Sequence, residues 1–275
     1  MRRVRGILAK ASQAVHIAVG KGNTPHARRG SPMLSILGKG AYSVPLAAKL
    51  LQLDAPRVRV NPAAVRRWAF GYERRGVEYL PAVEATEFRQ QDGFSFLEVV
   101  ELMHVVAFLQ IGKSWHRVRD AIHAARRHLR QEKQSDRHPL ARHEWFAEGS
   151  TLYMRLAGEL RSGDSSRAVL EAVGDGQVIL DECLRVYLKQ IEFDPVTRLA
   201  QRWFPGGAIG GPIVCDPQRQ MGLPVTFDGG VRTDILARHA KAGDEVPFIA
   251  RSYRIREHAV SAAIAFEASL FALAA

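Results

Sequence analysis

Cysteine is scarce in this chain: Cys183 and Cys215 are its two thiols, and no Cys-x-x-Cys pair occurs in its 275 residues. That excludes a disulfide-built scaffold and a zinc finger, and it suits a reducing cytoplasm. Catalytic signatures are also missing. There is no Gly-x-Ser-x-Gly, no His-Glu-x-x-His and no phosphate loop with its lysine. The glycines of Gly206–Gly211 lack a following Lys-Ser/Thr pair, and Pro212 stands where a helix should start. Histidines pair at the wrong interval for a helical metal site, His123 with His128 and His138 with His143, each five apart. Asp216, Asp228 and Asp234 have plainer uses, in turns or in a first helical turn. These absences nominate no catalytic residue, metal or cofactor, and the chain reads as a non-enzyme. The apolar stretch Ala259–Ala275 is interrupted by Glu267 and is short for a membrane span, so no membrane partner is expected.

Acid is absent from residues 1–39, which carry eight basic side chains. Of the formal net charge of +11, that segment supplies +8 and the remainder of the chain +3. A basic arm attracts nucleic acid without sequence preference and in a salt-sensitive way. The same stretch fits a disordered leader, an upstream start with Met33 as the true beginning, or the acid-free, Arg-rich composition of an organellar transit peptide. Lys10 and His16 break the apolar run that a secretory signal needs.

What is present is helical. Tyr42–Leu53 reads as a helix with Ser43 as cap, Pro45 in the first turn, and Leu46, Ala47, Leu50 and Leu51 on one stripe. Asn61-Pro62 starts a second helix ending at Gly71, with Val65, Trp68 and Ala69 inward and Arg66 and Arg67 outward. The pair has the pattern of a helix-turn-helix DNA reader, and equally of an ordinary helix pair with solvated arginines. Its connection, Asp54–Val60, is longer than a tight turn and carries Arg57 and Arg59, two further candidates for DNA contact.

Beyond it, Glu73–Gly93 reads as a wing or linker. Ser95 with Glu98 forms a capping box ahead of a helix that stops at Gly112. Ser114 caps a second, basic helix: residues 113–130 hold six cations against Asp120. Ala168–Val173 and Gln177–Asp181, around Gly174-Asp175-Gly176, read as a β-hairpin, followed by a helix over Cys183–Ile191. Trp203–Pro212 reads as loop. Three further helices follow, the first capped by Thr233. The last, opening at Glu257, is so apolar that two or more of its faces should be covered. The expected fold class is mainly α. The expected divisions are a basic disordered arm (1–39), a helix-turn-helix domain (40–135), a connector with a β-hairpin (136–210) and a three-helix, helix-turn-helix-like module (211–275).

On these residues the chain resembles a bacterial antitoxin family. YSVPLAAKLL, AVRRW-x-x-GY and SFLEVVELMHVVAFLQIGKSWHRVRDAI are similar to a MerR-like helix-turn-helix region. IVCDP, GLPVTFDGGVRTDIL, AGDEVPFIARSY and HAVSAAIAFE are similar to the module called domain of unknown function 433. Together these stretches resemble a VapB-type antitoxin. That resemblance implies a cytoplasmic bacterial protein, nucleoid-associated when bound to DNA, whose partner is a PIN-domain ribonuclease toxin. It also implies binding of the operon's own promoter, as a homodimer on a palindromic site. Arg66 and Arg67 carry the DNA role, with Arg57 and Arg59 in support. For the toxin, cations able to enter an acidic, metal-binding site are Arg198, Arg202, Arg219 and Arg232, and the candidate apolar anchors are Trp203, Phe204, Phe227 and the Phe266–Phe271 helix. The alternative is a stand-alone MerR-like transcription regulator with a sensing or dimerising C-terminal half.

Overall fold

The computed structural model describes residues 39–83, 93–131, 137–160 and 163–273. Apart from Lys39, the basic arm lies outside the described residues. Eleven α-helices and eight short strands lie among them.

The N-terminal unit is built from local capping signals. Strand β1 (Tyr42–Ser43) leads into α1 (Val44–Leu53), where the Ser43 hydroxyl accepts the Leu46 N–H at 3.3 Å. Helix α2 (Pro62–Phe70) starts in the same way, with Asn61 Oδ1 accepting the Ala64 N–H at 2.9 Å. Each cap satisfies an otherwise orphaned donor and stabilises its helix by about 1 kcal/mol. Strands β2 (Tyr72–Arg74) and β3 (Val77–Tyr79) form an antiparallel hairpin, filling part of the stretch expected to be a wing or linker. Its two-residue turn places Arg75 at φ 53° and Gly76 at φ 75°, the doubly positive geometry that matches strand twist. Strand β4 (Gly93–Phe94) pairs with β1.

Helix α3 (Phe96–Gln110) opens with the expected Ser95/Glu98 capping box and runs through the middle of the protein, apolar on all sides. It nevertheless buries Glu101 and His104. The Glu101 carboxylate accepts from Arg126 at 2.7 Å, from the Leu140 N–H at 3.3 Å, and pairs with His138 at 3.2 Å. His104 bridges the Leu140 carbonyl (3.0 Å) and the Tyr153 hydroxyl (2.9 Å). Helix α4 (Trp115–Gln131) packs on α3 and brings Arg126 to this network.

The expected β-hairpin at 168–181 is absent. Helices α5 (His143–Ala147) and α6 (Ser150–Glu159) are followed by α7 (Asp164–Val173) and α8 (Gln177–Gln190), so the supposed strands belong to two helices joined by a 3-10 turn. Short apolar runs do not distinguish strand from buried helix, and the Ala, Leu and Glu of residues 168–173 are helix formers. Gly174, at φ 43°, ends α7 rather than making a hairpin turn.

The segment read as connector contributes two strands, and the start of the segment read as a three-helix module two more, to a four-stranded antiparallel meander: β5 (Ile191–Phe193), β6 (Ala200–Trp203), β7 (Ile213–Cys215) and β8 (Pro224–Thr226). Helices α9 (Thr233–Lys241), α10 (Val246–Tyr253) and α11 (Glu257–Ala272) complete the C-terminal module on a small core of its own, including Leu236, Ile249, Val260 and Ala263. One expectation fails here. Thr233 does not cap α9: its hydroxyl bonds the Pro224 carbonyl and Glu267 instead. Helix α11 packs against α9, α10, β7, β8 and α1, burying Ala259, Val260, Ala263 and Leu270, and leaves one long side with Ser261, Ala265, Ala268 and Phe271 exposed.

The main core spans the expected boundaries at 135 and 210, running from Tyr42 through α3 and α8 to Cys215 and Leu270. The Tyr42 hydroxyl donates to the Gly222 carbonyl at 2.6 Å, and Gln190 joins Asp54 (2.9 Å) to Trp203 (3.1 Å). Among the described residues, no helix is long and apolar enough to cross a membrane.

Candidate functional site

On α2 the buried side is Ala64, Val65, Trp68 and Ala69, and the opposite side exposes Arg66 and Arg67, as a 3.6-residue period requires. The long connection before α2 is ordered by one side chain. Gln52 Nε2 donates to the carbonyls of Ala55 (2.9 Å) and Val58 (3.0 Å), and its Oε1 accepts the Val60 N–H at 2.6 Å. Ala55 and Val60 are buried, while Arg57 and Arg59 stand exposed. Arg57 lies close enough to α8 to act on Cys183 electrostatically. Arg59 shares a groove of about 270 Å³ with Lys49, the Asn61-Pro62 start of α2, and Leu273 just past the end of α11.

The hairpin adds cations that sequence reasoning did not single out. Arg74 and Arg75 are exposed at its turn. The Arg-Arg-Gly run was the available signal, because a turn with two positive φ values presents its side chains away from the sheet. Tyr72 and Tyr79 stack across the strands at 4.6 Å, and Tyr79 is flanked by His116 (5.4 Å) and by the Arg119 guanidinium (5.4 Å). These contacts dock the hairpin on α4 and set its inclination to the helix pair.

The C-terminal candidates are mostly engaged within the chain. Arg198 donates to Glu144 (3.0 Å) and His143 (2.6 Å). Arg202 bridges Asp216 (3.2 Å) and Glu192 (3.0 Å), Arg219 faces Asp216 at 3.6 Å, and Arg232 makes two bonds to Asp234. Trp203 and Phe204 are fully buried and hold the sheet from inside; the Phe204 ring meets the exposed Phe227 at 5.7 Å, so of these three only Phe227 reaches the surface. Further exposed rings are Phe248 on α10 and Phe271 on α11, and Lys241 Nζ, at the end of α9, lies 5.3 Å from the Phe271 ring centre. Exposed Ala265 and Ala268 continue an apolar strip from Phe271 along α11.

No group of three or more His, Cys, Asp or Glu able to hold a metal occurs among the described residues. The histidines once paired by sequence spacing have separate partners: His128 meets Glu159, His138 meets Glu101, and His143 meets Arg198.

No protein-family model matches the chain. A curated protein of Mycobacterium tuberculosis named "Putative antitoxin VapB45" is 29% identical over 217 residues, covering 74% of this chain and 86% of that protein. The crystal structure of Rv2018 from Mycobacterium tuberculosis superposes with a TM-score of 0.58 at 21% identity, covering 81% of this chain and 96% of that one. The chain therefore shares that protein's fold.

Proposed function

We propose that this chain is the antitoxin of a type II toxin–antitoxin pair, that it neutralises a PIN-domain ribonuclease by direct contact, and that it represses its own operon by binding promoter DNA. The observation that carries the reading is the 29% identity to the protein named as an antitoxin, spread over 86% of that protein's length. It is supported by two surfaces of different character on one body.

The first surface is cationic. Arg66 and Arg67 on α2 meet base edges or phosphates, Arg57 and Arg59 contact the backbone from the connection, and Arg74 and Arg75 reach a neighbouring phosphate from the hairpin. Two copies related by a two-fold axis double these contacts on a palindromic site. The second surface is the apolar strip of Phe271 and the open side of α11, with Phe248 and Phe227 as further exposed rings. Aromatic side chains of this kind anchor protein interfaces. Among the arginines, Arg219 is the exposed member and the first choice for reaching an acidic partner; Arg198, Arg202 and Arg232 would have to leave carboxylates they already hold.

The test is co-expression of the tagged chain with the neighbouring open reading frame, followed by pull-down. A stable complex with a small PIN-type protein supports the reading. Recovery of the chain alone, with the neighbour soluble and intact, overturns it and favours the stand-alone MerR-like regulator, a reading that needs only the helix pair and its hairpin.

A further inference from the structure

A cleft of about 370 Å³ opens where the first turn of α3 meets the Arg137–His138 stretch, the turn between β5 and β6, and the loop after β7. Its walls are apolar: Phe96 and Leu97 from α3, Leu199 and Ala200 at the start of β6, and Pro217. One buried ring supplies its polar end. His138 is 8% exposed, and its Nδ1 is spent on Glu101 at 3.2 Å. The opposite nitrogen, Nε2, has no partner among the described residues and is not closed off from solvent. Lys39 and Arg137 stand exposed at the rim. Asp194 is the one carboxylate among the described lining residues. It already accepts from the Val196 N–H (3.0 Å), the Thr197 N–H (2.6 Å) and the Thr197 hydroxyl (2.9 Å). Two cations thus stand against one carboxylate before His138 is counted.

We propose that this cleft binds a small monocarboxylate with an apolar body, a medium-chain or aryl acid, and that the His138 Nε2–H donates to its headgroup. Cavities of this size, lined by apolar side chains with a few convergent polar groups, are where small molecules bind. Glu101 decides which proton the ring carries. Its carboxylate takes an Nδ1–H, so Nε2 donates when the ring is charged and accepts when it is neutral. Burial lowers His138, but the Glu101 hydrogen bond and charge, with Glu98 behind them, outweigh burial and the opposing Arg126, and the net shift is upward. Lys39, Arg137 and Asp194 are the charged groups of the cleft itself. A carboxylate on Nε2 completes a row of alternating charge, Glu101, imidazolium and ligand, and favours the protonated ring further. One oxygen meets the Nε2–H and the other turns to the rim cations, while the hydrocarbon covers Phe96, Leu97, Leu199 and Pro217. A phosphate would bring a second charge to a single buried donor and leave those walls wet. The inference needs neither toxin nor DNA and stands apart from the antitoxin reading.

The experiment follows the imidazole signals of histidine-labelled full-length protein by NMR from pH 6 to 9, with sodium octanoate as the probe. Octanamide has the same body without the charge, sodium acetate has the charge without the body, and sodium chloride matches the ionic strength. His138→Gln identifies the signal by its loss and keeps a donor for Glu101. Octanoate is expected to raise the His138 midpoint by roughly one pH unit. By linkage, its affinity should fall about tenfold as pH rises from below the ligand-free midpoint to above the ligand-bound one. Acetate and octanamide should leave the midpoint where chloride puts it. Gln201 lines the cleft from an exposed position on β6, so Gln201→Phe fills the space without entering the core. It should abolish the octanoate shift and leave the ligand-free midpoint in place. An octanoate midpoint no different from that in chloride overturns the proposal. A shift that survives Gln201→Phe overturns it too, because the acid then binds elsewhere on the protein. So does octanamide binding that equals octanoate binding with no loss toward high pH, because the headgroup charge then plays no part.

Discussion

Two buried histidines on either side of Glu101 set opposite pH limits on the fold. His104 is held at about 4 by burial, against the Leu140 hydrogen bond and the Glu101 charge. An unfolded chain takes up that proton near pH 6.5, so the neutral ring stabilises the fold above this pH and is a growing liability from 6.5 down to 4. A shift of this size corresponds to about 3 kcal/mol. For His138, burial lowers the value, but the Glu101 hydrogen bond and charge more than reverse it, and the net shift is upward. Its contribution is complete below pH 6.5 and fades as pH rises through the folded value. Burial raises Glu101, and Arg126 and His138 reverse that as well, so its ionised form persists to lower pH than an ordinary carboxylate. Stability from these groups should therefore peak near pH 6.5, and urea midpoints at half-unit intervals will show it. His104→Gln should flatten the acid limb and leave the alkaline limb in place. Arg126→Met removes the strongest partner of a carboxylate with no exposed side-chain surface and should cost about 3–5 kcal/mol.

At the scale of elements, what was legible in the sequence was what is decided locally. The caps at Ser43 and Asn61 and the capping box at Ser95 depend on residues three apart, and all three form. The stop of α2 at Gly71 is equally local. The hairpin β2–β3 fell within a stretch whose Arg-Arg-Gly run permits the turn. The failures share another cause. The strands of the meander are three or four residues long, and their pairing partners lie outside any short window. Trp203–Pro212 was read as loop from its glycines, although Trp203 pairs with Cys215 inside the sheet. The candidate site divides in the same way. Period alone put Arg66 and Arg67 outside, whereas the ion pairs that occupy Arg198 and Arg202, whose partners lie 10 to 55 positions away, could not be read without the fold. The extended connection between α1 and α2 gives a sharp test. Gln52→Ala removes three hydrogen bonds that order it and should lower stability by about 1–3 kcal/mol. Hydrogen exchange at the Val60 amide should rise well beyond what the global loss explains. If Arg57 and Arg59 contact DNA, duplex affinity falls in the same variant.

For the whole molecule, the expected divisions near 135 and 210 are not seams in the core. Cys215 and Leu270 belong to the same cluster as Leu50 and Phe108, and Gln190 ties the connection after α1 to the sheet. A chain cut after residue 210 would expose the sheet side of that cluster and leave Tyr42 without its Gly222 acceptor. It should unfold at markedly lower urea than the full chain, or fail to stay soluble, while the full chain unfolds in one cooperative transition by circular dichroism and tryptophan fluorescence alike. Two separated transitions would show that the C-terminal module is an independent unit.

The Tyr42–Gly222 hydrogen bond spans 180 positions of the chain, and Leu270 reaches the same core from still farther along it. A ribosome adds residues at roughly 5–20 per second. The helix pair therefore emerges about ten seconds or more before the groups that fix it in place have been made. During that interval the nascent protein holds its basic helix without the packing that orients it. Whatever it binds, it acquires full competence only once α11 has left the exit tunnel, so termination before that point yields not a weaker copy but a chain for the proteolytic machinery to clear.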